Sequence, residues 1–331
     1  MISAFVTYLV KNQFVAGILF LAFAWLLFQI KEVLIVLFAS YIIMVSLKPI
    51  VFWMEERRIP RIAGIALSYI LLLALLVLLI FPLVPFFAEQ VNKLFINFPI
   101  FLNNAAQGLG IEVDQKSIAQ AFPPEGIGQN VFAFAGGVLG AVFSVVAAFV
   151  ISIYLFIDYK SIRGGFLDFF PKSKREKVGS IVTQTEDKLG AWFRGQIVLS
   201  LFIGVVTWIA LTFLQLGQYA LPLAVLAGLL EIVPTVGPIL AAIPAIIIGL
   251  SISPTLALVL IIVYAGIQIL ENNILVPRIM QKAVGLNPIV VILGITIGGK
   301  FFGIPGALLS VPFISLLVVI YKNVREEKLE L

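Results

Sequence analysis

Leu230-Glu231-Ile232-Val233-Pro234-Thr235-Val236-Gly237-Pro238 sits inside a long apolar run, Tyr219 to Leu250. Glu231 is the run's one charge, and the quoted stretch interrupts it with two prolines and a glycine. A continuous membrane helix tolerates neither feature. An ionised carboxylate at membrane depth costs roughly 2.5 kcal/mol or more. Proline removes a backbone donor and clashes with the preceding turn. Irregular backbone at that depth persists only where protein buries it or a wet cavity receives it. The stretch is therefore the first candidate for a binding site.

The composition around it settles the class. Of 331 residues, 61% are hydrophobic and 12% charged, and the mean hydropathy is +1.14. That is a polytopic membrane protein. The formal charge of +5 is small, so its placement matters more than its size. Cysteine and histidine are both absent. That removes disulfides, the commonest transition-metal ligands and histidine-based relays. We expect no metal site and no cofactor. Met1 to Gln13 carries only Lys11 as a charge and leads straight into an apolar span, read as retained, not as a cleaved signal.

Taken in order, spans are expected at about Phe14–Ile30, Val33–Leu47, Ile62–Ala88, Val131–Ile157, Gln196–Leu216 and Pro254–Leu270. Residues 89–130 are polar, rich in Asn, Gln and Gly, with net charge −2, and read as a small extracytoplasmic segment. Asp158 to Arg194 holds eight basic and five acidic residues and is placed in the cytoplasm by the positive-inside rule. Within it Val178, Ile181, Val182, Thr185, Leu189 and Trp192 recur at helical spacing, forming an amphipathic helix for the membrane surface or the protein body. Its mixed charge argues against nucleic acid as a partner. Parity then puts both termini in the cytoplasm. Each arm of Tyr219–Leu250 is short, about 17 Å at 1.5 Å per residue, against about 30 Å of hydrocarbon. We expect a re-entrant hairpin with its tip at Pro234 to Gly237, and a second hairpin or two full spans in Ile289–Tyr321. The units are 1–158 as scaffold, 159–194 as linker helix, 195–321 as transport region and 322–331 as tail.

The two hairpin regions resemble each other at an offset of 68 residues. Gly217 matches Gly285, Pro238 matches Gly306, and Pro244 matches Pro312. By the topology above they enter the membrane from opposite sides, which makes an inverted repeat. Secondary transporters place substrate sites between such discontinuous helices.

Few residues can carry chemistry. Glu231 can bind a cation or proton, accept hydrogen bonds from a polar solute, or cap its own hairpin. Pro234, Thr235, Gly237 and Pro238 shape the break beside it. Gln268, Glu271, Asn272 and Leu275 share one face at α-helical spacing, and Asn273 adds a second asparagine. They suit a polar ligand or hydrated cation, or simply an interfacial helix end. Lys300 occupies the corresponding break of the second run, and we favour snorkelling over a pair with Glu231. Arg278 after Pro277 can contact an anion, though a positive-inside anchor is the commoner role. No phosphate-cradling Gly-Lys-Ser/Thr loop appears, and no aspartate lies deep in a span, so ATP-driven pumping and a paired-aspartate protease are both unsupported. We expect no enzyme.

Several motifs together resemble one family. They are Trp192-Phe193-Arg194-Gly195-Gln196, Glu231 to Pro238, Gln268 with Glu271-Asn272, Leu275 and Pro277, Gly285-Leu286-Asn287-Pro288, and Gly298-Gly299-Lys300 with Gly303, Gly306 and Pro312. In this order the set resembles the autoinducer-2 exporter family of bacterial membrane transporters. The resemblance implies a multi-span inner-membrane transporter, often a homo-oligomer, whose mobile part carries the hairpins. It also implies export of autoinducer-2 or exchange of sodium or lithium for protons. Asn287 stands where members often carry His, and Gln281 where Gly is common, so no proton coupling through that His is available. The function expected is secondary transport of a small polar solute by alternating access. The rivals are a sodium or lithium/proton antiporter and a membrane scaffold that transports nothing.

Overall fold

The computed structural model describes residues 13–81, 83, 85–86, 140, 143–234, 236–280 and 287–329. The expected extracytoplasmic segment at 89–130, Thr235 and the Gly285-Leu286 pair lie outside them. Among the described residues the fold is all helix. The elements are α1 (Gln13–Gln29), α2 (Lys31–Glu56), α3 (Arg61–Ile80), α4 (Phe143–Ile157), α5 (Tyr159–Asp168) and α6 (Lys172–Phe213). Then follow α7 (Gly217–Leu230), α8 (Val236–Ile252), α9 (Pro254–Leu270), a π-helical segment (Glu271–Leu275), α10 (Val276–Met280) and α11 (Pro288–Leu329). Among the described residues five helical segments are long and apolar enough to cross a membrane, or six if α4 and α5, bent by 73°, form one span.

The helix ends follow from local chemistry. Arg58 turns the chain between α2 and α3 with a positive φ of 68°, and Pro60 starts the next helix. Ser253 caps α9, its hydroxyl oxygen accepting the Leu256 N–H at 3.1 Å, with Pro254 at the first helical position. The amphipathic helix and the fifth span are one 42-residue helix, α6, about 63 Å long at 1.5 Å per residue. Its face at Thr185, Leu189 and Trp192 is buried against the protein body.

Two places in the bundle reverse direction. At the first, α7 and α8 have 14 and 17 residues, shorter than the roughly 20 that a span needs. They pack against each other around a turn at 231–234. Gly237 is required there, because a Cβ on it would fall onto the Leu230 carbonyl. At the second, α11 breaks at Gly303, whose φ of 65° and ψ of −153° suit only glycine. A straight helix would hold Gly294 and Ser310 about 24 Å apart. Instead a Cβ on Gly294 would stand 3.6 Å from the Ser310 Cβ, and Gly298 abuts the Gly306 backbone. The apolar run 289–323 is thus two antiparallel arms, not one straight span.

Small residues bring α6 and α7 together. A Cβ on Gly228 would meet the Ser200 carbonyl at 2.7 Å, and Gly204 faces the Ala224 carbonyl. One apolar core joins α2, α3, α4, α6 and α11, and a second joins α6, α7, α8 and α9. Helix α6 belongs to both.

A buried carboxylate anchors α6 to the first core. Glu186 accepts hydrogen bonds from Tyr41 at 2.9 Å, Lys48 at 2.9 Å and Tyr159 at 2.8 Å. Arg163 stands 3.8 Å from the same carboxylate and donates to the Tyr159 hydroxyl at 2.7 Å. Groups from α2, α5 and α6 thus meet at one charge, which is what makes its burial tolerable.

Candidate functional site

The first reversal holds a polar cluster in an apolar surround. Glu231 caps the end of α7 and is 1% exposed, although it stands in the apolar run from Tyr219 to Leu250. Its backbone carbonyl accepts a hydrogen bond from the side-chain amide of Gln196 on α6. Gln196 is itself buried, so the amide and the turn carbonyl satisfy each other where water is excluded.

A second carboxyl comes from the end of α9. Glu271 is 3% exposed and opens the π-helical segment. Its Oε2 accepts a hydrogen bond from Gln268 Nε2 at 3.0 Å. The Glu231 and Glu271 side chains lie within hydrogen-bonding reach of each other. Among the described residues, one oxygen, Glu231 Oε2, is buried with no partner. The arrangement is rich in acceptors: two buried carboxyls face each other with one described amide donor, Gln268, on the pair.

The π segment determines which residues face this cluster. A π turn carries more residues than an α turn, so the side chains after Glu271 lose α-helical spacing. Gln268 and Glu271 stay inward, and Leu275 is half-buried between the two cores. Asn272 and Asn273 are exposed, and Asn273 donates back to the Ile269 carbonyl at 2.9 Å. Lys300 is exposed near the second reversal and forms no pair with Glu231. Arg278 is exposed on α10. Gly237 is buried in the turn, while Pro234 and Pro238 are half-buried beside it. The structure therefore brings together Glu231, Gln268 and Glu271, and leaves Asn272, Asn273, Arg278 and Lys300 apart from them.

Gln196 was not among the expected site residues. Its signal was present: an amide two residues after Arg194, at the start of an otherwise apolar stretch. Two further buried hydroxyls lack partners, Thr207 Oγ1 on α6 and Tyr264 on α9. Tyr264 lies four residues before Gln268 and seven before Glu271, on the same side of α9. Among the described residues no third carboxylate joins the pair to make a metal cluster.

Several long apolar helices, two reversals and an acidic pair buried between broken helices define a multi-pass membrane transporter. The chain belongs to the AI-2E family of transporters, whose family model matches residues 14–326. YrrI of Bacillus subtilis (strain 168) is 29% identical over 313 residues, covering 89% of this chain and 87% of its own, and carries only the provisional name of a transport protein. TqsA of Escherichia coli (strain K12), named an AI-2 transport protein, is 24% identical, with 89% of this chain and 86% of its own covered. A sodium-lithium/proton antiporter of Halobacillus andaensis is 24% identical, with 96% of each chain covered.

Proposed function

We propose that this chain is a secondary transporter of the bacterial inner membrane that moves a small polar solute by alternating access. The Glu231–Glu271 pair is the centre of its path, with Gln268 and Gln196 as neighbours. The pair carries the reading. Two ionised carboxylates facing each other out of water repel strongly, and each lacks solvation. A proton, a cation or a hydrogen-bond donor of the solute relieves that repulsion, so the pair is a place where such a group is taken up and released. Pro234, Thr235, Gly237 and Pro238 shape the turn that presents Glu231. Asn272, Asn273 and Arg278 serve the path's mouth in this reading, and Lys300 snorkels to the interface.

The two reversals act as re-entrant hairpins of an inverted repeat. The offset of 68 supports this, because it maps Pro238 and Pro244, just past the first turn, onto Gly306 and Pro312, just past Gly303. Residues 89–130 form the extracytoplasmic segment, both termini are cytoplasmic, and the working unit is a homo-oligomer. The test is Glu231→Gln in proteoliposomes. The variant is expected to fold normally, since the amide keeps the shape and removes the charge, and to lose or uncouple flux. Unchanged flux of the solute and of its coupling ion would sink the role.

One observation favours a second reading, a sodium- or lithium/proton antiporter. The pair offers a cation four carboxylate oxygens and, among the described residues, meets one protein side-chain donor. The Halobacillus andaensis relative bears that name. A pH change in vesicles driven by sodium or lithium, and absent in Glu271→Gln, separates this from solute export.

A further inference from the structure

Helix α5 leaves the end of α4 at 73°, so it turns away from the line of α4. Its two sides differ. Tyr159 and Arg163 face inward and are bound to Glu186, to the Gly179 carbonyl at 3.0 Å and to Thr183 at 2.7 Å. That network fixes the rotation of α5 and with it the flank that adjoins the bound face. On that flank Ile162, Phe166 and Phe169 recur at i, i+4 and i+7, and they are 49%, 46% and 88% exposed.

Neighbouring side chains set the level at which this happens. Arg61 at the start of α3 donates to the Phe156 carbonyl at 3.1 Å, two residues before the bend at Asp158. At the adjoining end of α2, Arg57 lies 3.8 Å over the Trp53 ring, which is exposed. Trp beside Arg at a span end marks the boundary between hydrocarbon and headgroups. The charge at this level is positive. Between Asp158 and Lys177 stand six basic residues and three acidic ones, a net +3, with Lys160 and Lys172 exposed.

We propose that α5 is an interfacial helix that binds the anionic headgroup layer of the membrane, with Ile162, Phe166 and Phe169 buried at the top of the acyl chains. An apolar stripe beside a basic surface matches what such a layer offers. A bare aqueous setting leaves three large side chains in water for no gain. The inference does not depend on what the chain transports.

The natural absence of cysteine makes the test direct. Phe166→Cys and Phe169→Cys, each carrying a nitroxide, are placed in vesicles of phosphatidylglycerol and phosphatidylethanolamine, and again in phosphatidylcholine alone. Leu71→Cys on α3 serves as the acyl-chain reference and Glu176→Cys as the aqueous one. The ratio of oxygen to nickel-chelate accessibility at 166 and 169 should exceed that at 176 several-fold. It should fall when phosphatidylglycerol is withdrawn. A ratio equal to that at 176 overturns the proposal. So does an immobilised nitroxide closed to oxygen, which means that a second copy of the chain covers the stripe. A ratio identical in the two vesicles removes the anionic partner. If a label disturbs folding, Phe166→Trp with brominated lipids reads the same contact, and absence of quenching counts against it.

Discussion

At the scale of single residues, the site depends on groups that answer one another across helices. Gln196 holds the Glu231 carbonyl, and Gln268 holds the Glu271 carboxyl. Replacing Gln196 by Leu leaves a buried carbonyl without its donor, which costs about 1–3 kcal/mol. The thermal midpoint should fall and flux should fall with it, because the turn presenting Glu231 loosens. Gln196→Glu, which keeps the size but brings a third carboxyl, should harm flux more than stability. Glu186 behaves differently. It holds Lys48 and two tyrosines, so Glu186→Leu leaves a buried ammonium unpaired and should cost about 3–5 kcal/mol. Chemical or thermal denaturation in detergent measures it, and a loss below about 1 kcal/mol, typical of surface pairs, would show that the cluster is solvated. Glu231 was legible in the sequence because a charge in an apolar run is expensive. Gln196 was not, because one amide in a span is cheap and common. Asn272 stands apart from Gln268 and Glu271, since the spacing that aligns the three assumes an α-helix where the backbone is π.

At the scale of elements, glycine decides where the chain reverses. The sequence predicts a break near Pro234 to Gly237, and the first turn lies there. It leaves the second run open between a hairpin and two spans. The reversal at Gly303 is local, and nothing in the apolar pattern distinguishes a kinked helix from one that folds back. What distinguishes them is the close approach of Gly298 to Gly306 and of Gly294 to Ser310, which is tertiary. Gly303→Ala forces a side chain into a glycine-only conformation and should cost about 1–3 kcal/mol. Gly298→Leu should cost more, because the Gly306 backbone fills the space. Gly266 in α9 is the control. Nothing lies within 4 Å of a Cβ placed there. Gly266→Ala should stabilise by up to about 1 kcal/mol through helix propensity. If all three variants shift the thermal midpoint alike, the second reversal is not a packed hairpin.

At the scale of the whole molecule, α6 connects what alternating access has to separate. Glu186 fixes one part of it to α2 and α5, and Gln196, ten residues on, holds the turn of the first hairpin. That is about 15 Å along one continuous helix. The glycine contacts between α6 and α7 are too close for easy sliding, since backbone meets backbone there. The second hairpin is held less firmly. Its contacts with α2 include the edge-on pair Phe38–Phe313, with ring centroids 6.2 Å apart, and a long hydrogen bond from Lys31 to the Phe301 carbonyl at 3.5 Å. Aromatic edges can exchange partners without leaving a buried polar group unpaired, so this is where movement against the scaffold is least costly. A cysteine pair at Phe38 and Phe313, bridged through two disulfides by a short bis-methanethiosulfonate, should therefore arrest flux, and reductant should restore it. The same bridge between α6 and α7, at Ser200 and Ala224 on the contact between them, should leave flux largely intact, because those helices travel together. Arrest by the second bridge and not by the first would mean that α6 stays with the scaffold while the first hairpin slides past it.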